Sequence, residues 1–150
     1  MLIQAEEKKN VLYVEFINSN NKDLINDSFN NFYNIWNNYY KKKQDFYFIF
    51  DTTKLKTDNY MLLIESSYKL LNIINSFENI KPVYLKASII IIDNNIINNL
   101  FNTIFLIKKP ISDIFLTKTN AQSNILIEYI FSKTNIDNYI KLNNINHIKC

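Results

Sequence analysis

The sequence predicts an α/β domain with a small mixed sheet of four to five strands and four to five helices in βαβ order. Three observations carry this expectation. Phe46 to Phe50 is a run of five apolar residues with polar neighbours, the pattern of an inner strand covered on both faces. Ser88 to Ile92 holds four consecutive isoleucines, whose β-branching favours a strand over a helix. Between and around these runs lie longer segments whose apolar residues recur at spacings of three and four, the period of an amphipathic helix.

Taken in order, Leu2 to Ala5 and Val11 to Ile17 read as strands joined by a turn at Lys8-Lys9-Asn10, an opening hairpin. Asn20 is placed to cap a helix over Lys22 to Lys42. Its face is Ile25, Phe29, Phe32, Trp36 and Tyr39, and its closing lysines suit the negative helix pole. Tyr33 and Tyr40 lie off that face and are expected to be exposed. Asp51-Thr52-Thr53 closes the Phe46 strand, and a second helix is expected from about Thr57 or Asp58. Its inward stripe is Leu63 or Ile64, Tyr68, Leu71 and Ile74. Pro82 keeps that helix from continuing. Asp93 and Asn94 offer caps for a third helix, Ile96 to Ile107. There Ile97, Leu100, Ile104 and Ile107 form one face, widened by Phe101 and Phe105. Pro110 stops it. Ile111 to Thr117 is a further core strand. Thr119 to Gln122 reads as a capping box for a fourth helix reaching Ser132, with Ile125 or Leu126, Tyr129 and Ile130 inward. Residues 135 to 150 read as one more helix or an edge segment.

A chain of 150 residues is long enough for one domain with its own core. Residues 1–132 are expected to form that domain, with 133–150 packed on it. The 26 Asn, 26 Ile and 17 Lys, with no Arg and no Gly, are the bias expected of an AT-rich genome. Without glycine there is no phosphate-cradling loop, and turns that need positive φ must use Asn or Asp. Without arginine, and at a net charge of +3, nucleic-acid binding is disfavoured. The sole cysteine, Cys150, allows no internal disulfide and suggests a reducing, cytoplasmic setting. The first residues lack the apolar run of a secretory signal, and no segment is long enough to span a membrane.

The order of elements from Leu2 to Ser132 resembles the STAS domain, the fold of anti-sigma-factor antagonists and of the cytoplasmic tail of sulfate transporters. Phe46 to Asp51 is similar to the family strand that ends in Asp. Ser88 to Ile92 is similar to the next core strand. Lys109-Pro110 and Ile114 to Thr117 resemble the last strand region, with Ala121 where the final helix often starts with a small residue. The family's bacterial regulators carry a phosphorylated serine in an Asp-Ser-Ser-Gly run. Here Asp58-Asn59-Tyr60-Met61 stands in its place, so the resemblance implies an interaction module without the phosphoswitch. Val83 to Pro110 also resembles part of a CRAL-TRIO lipid-binding domain, which implies a small lipid or apolar ligand instead.

The residues show no converging pair of acids, no metal-ligand spacing and no nucleophile constellation. No catalytic, cofactor or metal site is expected. His147 is read as exposed tail. The expected function is a non-enzymatic interaction or regulatory module, with a protein partner or a homo-oligomer. The alternative is an apolar-ligand domain, which requires a cavity of a few hundred cubic ångströms between the second and third helices. The candidate interaction surface is Asp51 and Thr53 at one strand end, Asp58 and Tyr60 at the next helix start, Asp93 one strand over, and Phe101 and Phe105 on the third helix. An enzymatic reading would instead bring Asp51 and Asp93 together with Lys54 or Tyr60.

Overall fold

The chain pairs its strands in the order in which it makes them. The computed structural model describes residues 1–150. Its strands are β1 (Leu2–Lys8), β2 (Val11–Ile17), β3 (Phe46–Asp51), β4 (Leu85–Ile91), β5 (Asp113–Thr117) and β6 (Asn146–Ile148). Its helices are α1 (Lys22–Lys42), α2 (Tyr60–Phe77), α3 (Asn95–Ile107), α4 (Asn120–Phe131) and α5 (Asp137–Leu142). All six strands form one sheet in the order β1-β2-β3-β4-β5-β6. β2 to β5 run parallel, while β1 and β6 are antiparallel to their neighbours. The α/β class and mixed sheet agree with the sequence reading, with six strands in place of four to five.

Three successive parallel crossovers step the same way across the sheet. A right-handed crossover places its helix on a fixed face for a given step direction. α1, α2 and α3 therefore share one face, and their buried residues belong to one cluster with Val14, Phe48, Ile90 and Ile114. α4 covers the other face, where Leu126 and Ile127 pack with Ile49, Ile89, Ile91 and Phe115. Between the two layers β4 is buried from Ala87 to Ile91, as its isoleucine run requires.

The three-helix face is held by aromatic packing. Trp36 of α1 stacks on Phe77 of α2, centroids 4.6 Å apart and rings 2° from parallel. Trp36 also meets Phe48 of β3 edge-on at 5.0 Å, and Tyr39 stacks on Phe46 at 4.4 Å. These contacts fix the rotation of α2, whose sequence offers several apolar stripes at helical spacing. The inward residues are Leu63, Ser66, Leu70, Ile73 and Phe77. Tyr68, expected inward, is 65% exposed, and Leu71 and Ile74 are only half-buried. Tyr40, expected outward, is buried because its ring reaches Phe77 at 5.1 Å. Tyr33 is exposed as expected, with its ring against the edge of the same cluster.

Helix ends are set by asparagine. Asn21, not Asn20, caps α1 by accepting from the N–H groups of Asp23 and Leu24, both at 3.1 Å. Asn59 caps α2, so that helix starts at Tyr60 rather than Thr57 or Asp58. Thr119 caps α4 by accepting from Gln122 N–H at 3.2 Å, while the Gln122 side chain accepts from Lys118 N–H, one residue short of a true capping box. On α4 it is Leu126 and Ile127, with Ser123, that point inward. Residues 135–150 hold both a helix and an edge strand, α5 and β6.

Lacking glycine, the chain uses lysine as well as the expected asparagine in the left-handed region: Lys9, Lys43 and Lys133 beside Asn10 and Asn144, and no aspartate. Lys9 and Asn10 at φ 49° and 64° make the two-residue hairpin turn, and Lys43 at φ 54° ends α1. A side chain there costs about 1–2 kcal/mol. Lys43→Gly is therefore expected to raise stability by about 1 kcal/mol in urea denaturation; an unchanged or lower midpoint contradicts the cap geometry. Phe48→Ala should cost about 3–5 kcal/mol, whereas Tyr68→Ala should cost less than about 0.5 kcal/mol. Comparable losses from the two would show that α2 is rotated differently.

Candidate functional site

α3 is the element whose sequence and burial disagree most. Its cap is regular: the Asn94 side chain accepts from the N–H groups of Ile96 and Ile97 at 2.8 and 3.4 Å. Its residues NIINNLFNTIFLI are rich enough in apolar side chains for a wholly buried helix, yet Ile97 alone is buried. Leu100, Phe101, Ile104 and Phe105 are half-buried. Leu106 and Ile107 are 88% and 82% exposed, so Ile107 does not belong to the inward face assigned to it. The reason is position. α3 lies over β4 and β5, and β6 beyond them is only three residues long. No further helix closes its outer side.

The gap beneath α3 is an apolar cavity of about 60 Å³. Leu70 and Ile74 of α2, Phe101 and Phe105 of α3, and Ser88 and Ile90 of β4 are among its walls. Lys108 and Lys109 stand on its border, and Lys108 forms an ion pair with Glu78 that ties the end of α3 to the end of α2. Ser112 also lines the cavity, with its hydroxyl buried and without a hydrogen-bond partner. Such an orphaned group costs about 1–3 kcal/mol. Trp36 on the cavity wall has no ideal partner either; its indole N–H lies beside the Tyr40 hydroxyl without meeting hydrogen-bond geometry. Burial raises the Tyr40 phenol, and the nearby indole N–H and Tyr84 backbone N–H offset part of that rise.

The candidate residues divide into separate groups. Tyr60 is half-exposed at the start of α2 and shares a shallow groove with Ile96, Leu100 and Thr103 of α3. Phe101 and Phe105 lie further along the same helix, their rings 6.1 Å apart. Asp51 is elsewhere. It borders the uncovered face of β1 and β2 with Gln4, Tyr13 and Glu15. Its carboxylate accepts from the N–H and hydroxyl of Thr53 at 2.9 and 2.6 Å, a closed local turn. Lys54 is drawn to Glu15 at 2.7 Å. Asp58 and Asp93 are exposed, and the adjacent asparagines do the capping. No group of three His, Cys, Asp or Glu side chains is arranged to hold a metal ion. No helix is long and apolar enough to cross a membrane.

The sequence reading missed two features. Leu106-Ile107-Lys108-Lys109 pairs bare aliphatics with lysines at a helix end, a local signal hidden by counting Ile107 into the apolar stripe. The second is a clasp at the far sheet edge. His147 is half-buried in β6, not free tail, stacking on Phe115 at 4.3 Å with its Nε2 3.0 Å from Asp113 Oδ2. The backbone N–H of Cys150 donates to Asp113 Oδ1 at 3.0 Å. Asp113 and burial push the Cys150 thiol up, the opposite of an activated nucleophile. Burial tends to raise the Asp113 carboxyl, but its bonds from Cys150 and His147 outweigh that and hold it below the usual value.

No family model matches the chain, and neither a curated protein nor a solved structure matches it significantly.

A carboxyl depressed on folding contributes stability that is present above its unfolded value and lost as pH falls through the folded one. The clasp should therefore hold at neutral pH and open below the ordinary carboxylate value of 3.8. Hydrogen exchange at the Cys150 amide checks this. Protection is expected at pH well above that value, none well below it, and none at either pH in Asp113→Ala, which removes the acceptor. Protection that survives acid or the substitution rules the clasp out.

Proposed function

We propose that this chain is a non-enzymatic protein-interaction or regulatory module of STAS-like type, acting in the cytoplasm without a phosphoswitch, and that the α2–α3 face is where it binds. The observation that supports this is the uncovered apolar side of α3. A row of half-buried aromatic and aliphatic side chains flanked by Tyr60, Asn99 and Thr103 has the composition of an interface: aromatic centre and polar rim. Exposed apolar patches of this kind on a folded domain mark contact surfaces. Of the candidate residues, Tyr60, Phe101 and Phe105 belong to this reading. Asp51, Thr53, Asp58 and Asp93 lie outside it and are not needed by it.

Sedimentation over a range of concentrations tests the homo-oligomeric form of the proposal. Association through this face should weaken by about tenfold or more in Phe105→Ala, since a central aromatic at an interface commonly contributes upwards of 2 kcal/mol. A chain that stays monomeric throughout, and retains no partner that Phe105→Ala loses, refutes the assignment.

The cavity under α3 favours a second reading, a small apolar-ligand domain of CRAL-TRIO type. At about 60 Å³ it falls well short of the few hundred cubic ångströms expected for such a domain. It is also smaller than the roughly 150 Å³ that holds benzene elsewhere. A lipid tail enters only if α3, which buries Ile97 alone, moves outward. Trp36, the sole tryptophan, lines the cavity and reports on it. Saturable change in its emission on titration with a medium-chain fatty acid supports this reading; an unchanged spectrum dismisses it.

A further inference from the structure

The parallel topology collects lysines that the sequence scatters. β2, β3, β4 and β5 all begin at one edge of the sheet, and the helices between them all end there. Lys41, Lys42 and Lys43 close α1, Lys81 lies in the segment after α2, and Lys108 and Lys109 follow α3. The hairpin turn brings Lys8 and Lys9 to the same edge, tied to the start of β3 by Gln44 donating to Asn10 at 2.7 Å. α4 ends there too, its Phe131 set edge-on to Tyr47 at 5.0 Å, with Lys133 just beyond.

Of the acids at this edge, Glu7 beside Lys9 and Lys42, Glu128 in the last turn of α4 and Asp137 at the start of α5 are exposed and outside every ion pair, and the others are engaged. Glu6 pairs with Lys8, Asp45 with Lys86 and Glu78 with Lys108. Asp113 is held by His147 and the Cys150 amide. Lys9, Lys41, Lys42, Lys43, Lys81 and Lys109 are exposed and outside every ion pair. The opposite edge carries Asp51, Asp58 and Asp93 together with Lys22, Lys54, Lys56 and Lys118, so the net charge of +3 is unevenly spread, with more of the free lysines at the basic end. Codon bias sets how many lysines there are, and the helix dipole favours some of them at helix ends. Neither explains Leu106 and Ile107, two bulky aliphatics left 88% and 82% exposed among these lysines. Ile80 and Phe131 add further exposed apolar area at the same edge.

We infer that this basic edge docks on an anionic lipid surface, with Leu106 and Ile107 entering between headgroups and the unpaired lysines contacting them. The charge is complementary to a bilayer rich in acidic lipid, and bare aliphatics beside lysines suit the headgroup boundary, where one end is apolar and the other wet. A nucleic acid offers the same charge but nothing for two aliphatic side chains, and the edge has no arginine to read it. The inference goes beyond the interaction-module reading and does not depend on it, since the two surfaces use different side chains.

Co-sedimentation of the full chain with vesicles tests it. Binding is expected to vesicles of equal parts phosphatidylcholine and phosphatidylserine, and not to phosphatidylcholine alone. Raising salt should weaken it. Leu106→Ser with Ile107→Ser should weaken it more than about tenfold without lowering stability, because both side chains are already in water. Lys42→Glu and Lys109→Glu should each weaken it about fivefold or more. No binding to the acidic vesicles, equal binding to neutral ones, or full binding by the Leu106/Ile107 double variant overturns the inference. So does tighter binding to duplex DNA or RNA than to the acidic vesicles.

Discussion

Four parallel strands laid down in chain order are the constraint from which the rest follows. Each crossover must be right-handed, and each steps the same way, so α1, α2 and α3 are forced onto one face. That face becomes a thick aromatic layer centred on Trp36, Phe48 and Phe77. The other face receives only α4 and α5, whose cluster reaches from β5 to Ile49 of β3 and Val11 at the start of β2 and leaves Gln4, Glu6 and Glu15 of β1 and β2 beside an open groove. The same arrangement brings every crossover helix to its end at a single edge. The distribution of core, open surface and charge thus comes from one topological choice.

The last helix in the row bears the consequence. α1 is flanked on its inner side by α2, and α2 by both neighbours, but α3 has nothing beyond it. Its apolar residues were enough to predict a helix, and its asparagine cap holds. What packing cannot supply is a second surface, so Leu100, Phe101, Ile104 and Phe105 remain half-covered and a small void persists beneath them. A partly uncovered apolar surface and a loosely filled cavity are two outcomes of the same shortfall in cover. Ser112, buried there without a partner, adds a local cost that a tighter core would have removed.

Much of the fold was legible because strand and helix periods differ and the runs were long. Phe46 to Phe50 fell within β3 and Ser88 to Ile91 within β4, with Ile92 just past its end, and the apolar spacing of α1 gave its buried face except for Tyr40. The failures share a cause. Where a helix offers several apolar stripes, as α2, α3 and α4 do, the choice among them is made by tertiary contacts. Tyr68 went outward because Phe77 stacks on Trp36, and Ile107 went outward because no element lies over it. The short β6 carries too few residues for a period, and only its pairing with β5 defines it. Of the candidate site, Phe101 and Phe105 could be named from the sequence. The placing of Tyr60 beside Ile96 and Leu100 of the same helix and the separation of Asp51 are facts of topology. The basic edge was hidden for the same reason: its lysines come from five segments distant in sequence.

The most direct test of this account is a map of methyl contacts in solution by NMR, with Ile, Leu and Val labelled. The topology requires α2 and α3 to share the face of β4 that carries Ile90. Leu70 and Ile104 should then show contacts to Ile90 or Ile114, and Leu126 and Ile127 to Ile89 or Ile91. Contacts from Leu70 or Ile104 to Ile89 or Ile91 would put a crossover helix on the wrong face and remove the basis for both the apolar surface and the basic edge.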